Sequence, residues 1–282
     1  MKKFDVITIG ELNVDLIFNN LSSLPEIGKE IRAGRFSFEL GSSSAIFANN
    51  LSRMGSNVAF VGKTGTDIFG DFILQKLRQA GVDTNMVSRD GMHATGATVV
   101  LNFDENREMI THPGAMEQLR AEDIHTNIFS TAKHLHISSY FLQTNLQKQV
   151  SKLFGEAKKA GLTTSFDPQW DPSEKWAINL EEILPVVDVF LPNKVELINL
   201  TGQKNMDRAI AHIEKITNIL VVKMGSEGSI SLFKGRSLFK PAYLNGKVAD
   251  AIGAGDSFNA GFIHKFVRRS SIETCQEFGN LM

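Results

Sequence analysis

Asp250-Ala-Ile-Gly-Ala-Gly-Asp-Ser-Phe-Asn-Ala-Gly-Phe262 is the stretch on which the reading of this chain turns, because it holds a glycine turn, a carboxylate and a helix start in one short run. Gly253-Ala254-Gly255 is small and flexible, and from Ser257 onward apolar residues recur at helical spacing. The first turn of a helix has N–H groups without intrahelical partners and a partial positive charge, so a small-residue turn there is suited to cradle phosphate oxygens. The N–H groups of Gly253, Ala254, Gly255 and Asp256 are the candidates for that cradle. Asp256 itself repels a phosphate, yet it suits a base that takes the proton from a hydroxyl attacking one. An unperturbed aspartate, with a pKa near ~3.9, is a weak base, and it serves because that proton becomes acidic only late in a loose transition state. A lone Gly-x-Gly-Asp is more often an ordinary helix N-terminus whose first-turn acid the helix dipole favours.

Outward from this string, composition narrows the class. The chain has 282 residues, 42% of them hydrophobic, enough for one large α/β unit or two small ones. Its 30 basic and 31 acidic side chains are mixed along the sequence for a net charge of −1, so no charge field recruits nucleic acid or an anionic membrane. The single cysteine, Cys275, excludes an internal disulfide, and no apolar run approaches ~20 residues. With no signal-peptide pattern after Met1, the expectation is a soluble cytoplasmic protein.

Strand-like runs at Val6–Ile9, Val58–Val61, His134–Ile137, Leu162–Phe166, Val187–Leu191 and Ile219–Lys223 alternate with amphipathic helical patterns. The helices expected are Ser44–Met54, Ile68–Ala80, Leu146–Ala160, Met206–Ile216 and Ala254–Phe266. This alternation predicts an α/β fold with a mostly parallel central sheet flanked by helices on both faces. Residues 13–40 and 93–116 break the rhythm. Ala97–Phe103 and Arg107–Thr111 read as a hairpin and Ile31–Phe38 as strand-like, so the two segments are expected to form a small β-sheet lid that excludes water. Residues 1–282 are expected to be one domain with the lid inserted, and an exposed lid face favours a homodimer.

The full string Asp250-x-x-Gly-Ala-Gly-Asp256-Ser-Phe258 resembles the C-terminal signature of the ribokinase-like sugar kinases, the PfkB carbohydrate kinase family, and other stretches resemble that family in the same order. Gly10-Glu-Leu-Asn13-Val-Asp15 follows the first strand, at the sheet edge where open α/β folds bind ligands, and a carboxylate beside an amide is able to grip sugar hydroxyls. The resemblance implies that Asp15, with Asn13, binds the sugar acceptor. Leu40-Gly41-Ser-Ser43-Ser-Ala-Ile46 to Gly55 is similar to the family's first signature and marks Gly41 and Ser43 as sugar contacts. Two departures stand here: Ser42 replaces a glycine, and Ile46 replaces an asparagine that touches the sugar. Loss of that amide removes ~1 kcal/mol or more of contact, which argues against ribose held in the usual way.

Arg107, just past the lid turn, is placed to reach a ligand phosphate or carboxylate, although an exposed hairpin arginine is the commoner finding. His134 and His136 share a strand face without a third ligand at suitable spacing, so a metal site there is rejected. Phe166-Asp167-Pro-Gln169-Trp-Asp171 stands where the family often shows Asp-x-Asn-x-Arg. The missing arginine argues against an already phosphorylated substrate.

The remaining resemblances concern ATP. Asn193-Lys-Val-Glu196 is similar to the family's Asn-x-x-Glu motif, which implies that Glu196 holds a water of the magnesium ion, though an ordinary first-turn glutamate reads the same way. Lys223-Met-Gly225-Ser-Glu-Gly228 looks like the nucleotide-proximal turn, with a plain hairpin as the alternative. Asn280 is assigned to the nucleotide site, and the backbone of Asp250 and Ile252 to a monovalent cation such as potassium. Ser270-x-x-Glu273 reads as a capping box opening a helix that walls the adenine pocket, and the family continues a few tens of residues further than Met282. The chain is therefore expected to be either truncated or short at its adenine site. The reading is an ATP-dependent kinase of an unphosphorylated sugar or sugar acid. A non-catalytic sugar sensor and a nucleoside kinase on the same fold remain open, and a dinucleotide oxidoreductase is weak because no G-x-G-x-x-G follows the first strand.

Overall fold

In the computed structural model, which describes residues 2–103, 106–244 and 253–282, the β-branched runs lie side by side in one sheet. The first half of the chain forms β1 (Phe4–Ile9), β2 (Asn13–Asn19), β3 (Arg35–Leu40), α1 (Ser43–Arg53), β4 (Val58–Gly65), α2 (Ile68–Gln79), β5 (Asp83–Asp90), β6 (Gly96–Phe103), β7 (Asn106–His112) and β8 (Ala132–Ser138). The second forms α3 (Val150–Lys159), β9 (Thr163–Asp167), α4 (Leu180–Ile183), β10 (Val189–Phe190), α5 (Lys194–Thr201), α6 (Met206–Ile213), β11 (Ile219–Lys223), β12 (Ser229–Phe233), β13 (Arg236–Lys240), α7 (Ala254–Phe266) and α8 (Ile272–Leu281). The nine-stranded sheet has the order β13-β12-β11-β10-β9-β8-β1-β4-β5 and is parallel from β11 to β5.

Period-two alternation sends successive side chains to opposite faces, and both faces are covered. On β1, Ile7 and Ile9 join one buried cluster with Leu135, Phe154 and Phe166, while Val6 joins another with Phe47, Phe60 and Phe262. The second face also carries polar groups. His134 donates to or accepts from Thr163 and Ser165, His136 bonds Ser165 and stacks on Phe47 at 3.9 Å, and burial holds both rings well below their usual pKa. The pair is thus packed into the sheet face under α1 and α7.

The lid is a separate four-stranded sheet, β3-β2-β6-β7, built from the two segments that break the alternating rhythm. Several details differ from the expectations. The strand anticipated at 31–38 occupies Arg35–Leu40, and the one at 187–191 shrinks to Val189–Phe190. The helix anticipated from Leu146 begins at Val150 after a tighter turn. Asn13 and Asp15 open lid strand β2 rather than trailing from β1. The C-terminal helix is capped by Ser271, whose hydroxyl accepts from Thr274 N, and Glu273 pairs with Lys240 instead of closing a box with Ser270. No helix among the described residues is long and apolar enough to cross a membrane.

Candidate active site

The carboxyl ends of β1, β8, β9 and β11, the start of α7 and the inner face of the lid enclose a cavity of about 550 Å³. At its lid side, Asn13 Nδ2 donates to Asp15 Oδ1 at 3.1 Å and to Thr98 Oγ1 at 2.9 Å, so the amide aims the carboxylate into the cavity. Gly41 lies behind this pair rather than in the cavity wall: a Cβ there would sit 2.3 Å from Asp15 Oδ1, so only glycine allows the approach. Strand pairing puts Arg107, Met109 and Thr111 of β7 on the same lid face as Thr98 and Val100, and all five line the cavity. Arg107 is the one cation there without an ion pair among the described residues.

Ser42, where the family carries glycine, has a left-handed φ of 71°, which a serine adopts at some cost. Two bonds hold it: its hydroxyl accepts from Ala45 N and donates to Glu11 O. Ser43 follows, lines the cavity and hydrogen-bonds Asp256. Ile46 packs toward Gly253.

Gly253 takes φ 73°, a conformation that favours glycine, and lets the chain turn directly into α7. No side chain caps this helix, so the N–H groups of its first turn face the cavity beside Asp256. Asp256 is only 7% exposed. Burial first, and then the neighbouring Asp167 carboxylate, lift its carboxyl to about 7 against the pull of Lys223. This corrects the expectation of an unperturbed, weak base: the group titrates where a general base works best.

Beneath the cradle lies a charge cluster that sequence spacing does not reveal. Asp167 is fully buried, pairs with Lys223 Nζ at 2.6 Å and accepts from Asn259 and Gln169. Lys223 ends β11, lines the cavity and points under Gly255. Burial works to lower its pKa, but Asp167, Glu196 and Asp256 outweigh that and raise it. Glu196 and Asn193 form a capping box at the start of α5, each side chain bonded to the other's backbone N–H at 2.8 Å. Burial and Asp167 push the Glu196 carboxyl up to about 7. Asp167, Glu196 and Asp256 thus face a single ammonium, a surplus of negative charge beside the cradle. Magnesium, which keeps several waters and uses one or two carboxylates with substrate phosphates, suits that surplus, and Glu196 would be the residue to meet it through water.

Gly225 lines the cavity, but Gly228 and Asn280 do not. Gly228 abuts the backbone at Lys240, and the Asn280 amide is occupied: it accepts from Ser229 and donates to the carbonyls of Lys240 and Pro241. Asn280 is therefore a clip between α8 and the β12–β13 hairpin. Asp250 and Ile252 lie outside the described residues. One acidic cavity residue had not been singled out. Glu11 is buried at the floor, accepting from Ser44 and Ser139, with burial raising its pKa. Trp170, 46% exposed, forms part of the wall. A glutamate two residues past β1 and two before Asn13 was the available signal for Glu11.

Together these groups are equipped for phosphoryl transfer to a small alcohol. Sequence comparison agrees: residues 3–282 match the pfkB family of carbohydrate kinases, and the chain belongs to it. A sugar kinase of Archaeoglobus fulgidus, itself uncharacterised, is 30% identical over 237 residues, 82% of this chain and 92% of its own. The 2-dehydro-3-deoxygluconokinase of Bacillus subtilis is 26% identical over 290 residues, 99% of this chain and 88% of its own. The structure of Arabidopsis thaliana ribokinase complexed with ribose and ATP superposes with a TM-score of 0.83 at 25% identity, covering 98% of this chain and 90% of that one.

Proposed function

We propose that this kinase transfers the terminal phosphoryl group of ATP to a hydroxyl of an unphosphorylated sugar or sugar acid. The observation that carries the reading is the presence of Asp256, the uncapped start of α7 and the Asn13–Asp15 pair in one cavity. In this reading Asp15 and Asn13 hold acceptor hydroxyls, Asp256 takes the proton of the attacking one, and the N–H groups from Gly253 to Asp256 receive the transferring phosphoryl. Magnesium, when bound with ATP, neutralises phosphate charge; Glu196 and Asn193 are its nearest candidates, through water. The residue equivalent to the family's arginine is Asp171, whose carboxylate is bonded to Ser173 and to Trp176 N, and Lys223 is taken up by Asp167. That leaves Arg107, enough for one carboxylate and sparse for a phosphate. The name of the Bacillus subtilis relative, a kinase of a deoxy keto-acid, points the same way.

The need for ATP and the single free cysteine, Cys275, support a cytoplasmic reaction in this reading, with a homodimer through the lid as its assembly. The test is a coupled assay of ATP consumption across unphosphorylated hexoses, pentoses, sugar acids and nucleosides, with magnesium and potassium. Stimulation by a sugar or sugar acid is expected. Stimulation by nucleosides alone, or calorimetric sugar binding without turnover, would replace the reading with a nucleoside kinase or a sensor.

A further inference from the structure

Gln169 follows β9 and Pro168 in a left-handed backbone conformation, φ 61°, that a glutamine takes at a cost. The segment is pinned on both sides. Ser139 N and Tyr140 N donate to the carbonyls of Asp167 and Pro168 at 3.1 Å, and the Trp170 ring packs edge-on against Trp176 at 5.0 Å. The conformation turns the side chain under the cavity, where Nε2 donates to Asp167 Oδ2 at 2.9 Å and to Asp256 Oδ1 at 3.1 Å. The other oxygen of Asp256, Oδ2, faces the Gly253 end of the cradle, 3.9 Å from where a Cβ of that glycine would lie. Glycine or asparagine would take this backbone with less strain, but glycine has no amide and asparagine's is one methylene shorter.

We propose that Gln169 is a positioning residue for the catalytic base: its amide bridges Asp167 and Asp256, occupies Oδ1 of Asp256 and so presents Oδ2 to the acceptor hydroxyl. The proposal rests on the kinase reading for the identity of the base, but the contact itself is testable without turnover. Asp256 faces Ser43 from α1, Asp167 and Gln169 from the end of β9, Glu196 from α5, Lys223 from β11 and Glu11 beyond β1, with Arg107 on the lid across the cavity. Of the uncharged donors in this set, Gln169 joins Asp256 to the buried ion pair. A donor to the ionised form favours that form, so its removal raises the Asp256 midpoint.

The experiment is a carboxyl-carbon NMR titration of the full chain labelled at aspartate, with the Asp256 signal assigned by its loss in Asp256→Asn. In Gln169→Gly and Gln169→Asn the apparent Asp256 midpoint is expected to rise by about one pH unit, with the melting temperature unchanged or higher because the backbone strain is relieved. In the wild-type chain the Gln169 side-chain amide signal is expected to titrate with the same midpoint. An Asp256 midpoint unmoved in a folded variant, or a Gln169 amide signal indifferent to pH across that range, overturns the proposal. With a cognate acceptor, the acid limb of the kcat profile should follow the midpoint and kcat fall by about tenfold while the sugar KM holds. If no acceptor is phosphorylated by the wild-type protein the kinase reading fails, and the titrations still decide whether Gln169 holds Asp256.

Discussion

Asp256→Asn keeps the size and hydrogen-bonding reach of the side chain and removes its charge. In the folded protein the Asp256 carboxyl is lifted from its ordinary 3.8 to about 7 by burial and by Asp167. At about 1.4 kcal/mol per pH unit, that lift costs the ionised form about 4 kcal/mol. Because the folded value lies above the unfolded one, the folded chain binds this proton more tightly. Its contribution is full below pH ~4, declines as the pH rises and is lost above 7. Asparagine escapes the loss. Part of the relief is shared with Glu196, which is pushed up to about 7 beside Asp256, so the variant should be more stable than wild type at pH 8 by about 2–4 kcal/mol. That corresponds to about 5–10 °C in melting temperature. The advantage should shrink toward zero as the pH falls to ~4.5. Turnover should drop ~10²-fold or more with sugar affinity nearly intact, since the hydroxyl loses its base and Asn13 and Asp15 are untouched. Denaturant titrations at pH 4.5, 6 and 8, with calorimetry and steady-state kinetics, measure all of this. A stability difference that does not change with pH would refute the electrostatic argument, and unchanged phosphorylation of a cognate sugar would remove Asp256 from the mechanism.

Lys223→Met should destabilise the fold by about 3–5 kcal/mol at pH 8, because it leaves Asp167 buried without its cation beside Glu196 and Asp256. The loss should be smaller at pH 6, where Glu196 and Asp256 carry protons, and urea titrations at the two pH values check both points. Gly253→Ala should cost about 1–2 kcal/mol, since alanine at φ 73° is strained and its methyl would lie 3.2 Å from Ile46 Cγ2. It should also lower kcat by about tenfold or more by displacing the first N–H groups of α7, with sugar binding by calorimetry as the control.

The periodic parts of this protein are written into its sequence. Alternating β-branched runs and amphipathic helices specify a covered parallel sheet because both periods are properties of a few consecutive residues, and α7 runs from Ala254 to Phe266 as its pattern predicts. Asp15, Ser43, Arg107, Glu196 and Asp256 could be singled out because each sits on a motif at a strand or helix end, where a sheet of this kind gathers its loops. Tertiary structure alone decided what depends on distance between strands far apart in the chain. It turned Lys223 under the cradle to meet Asp167, engaged Asn280 as a clip between α8 and the β12–β13 hairpin, and brought Gln169 between two carboxylates. It also decided the proton affinity of Asp256. A carboxyl's affinity for its proton is set by the water it has lost and the charges it faces, and for Asp256 both are assembled from β1, α1, β9, α5 and β11, which no local run of residues encodes.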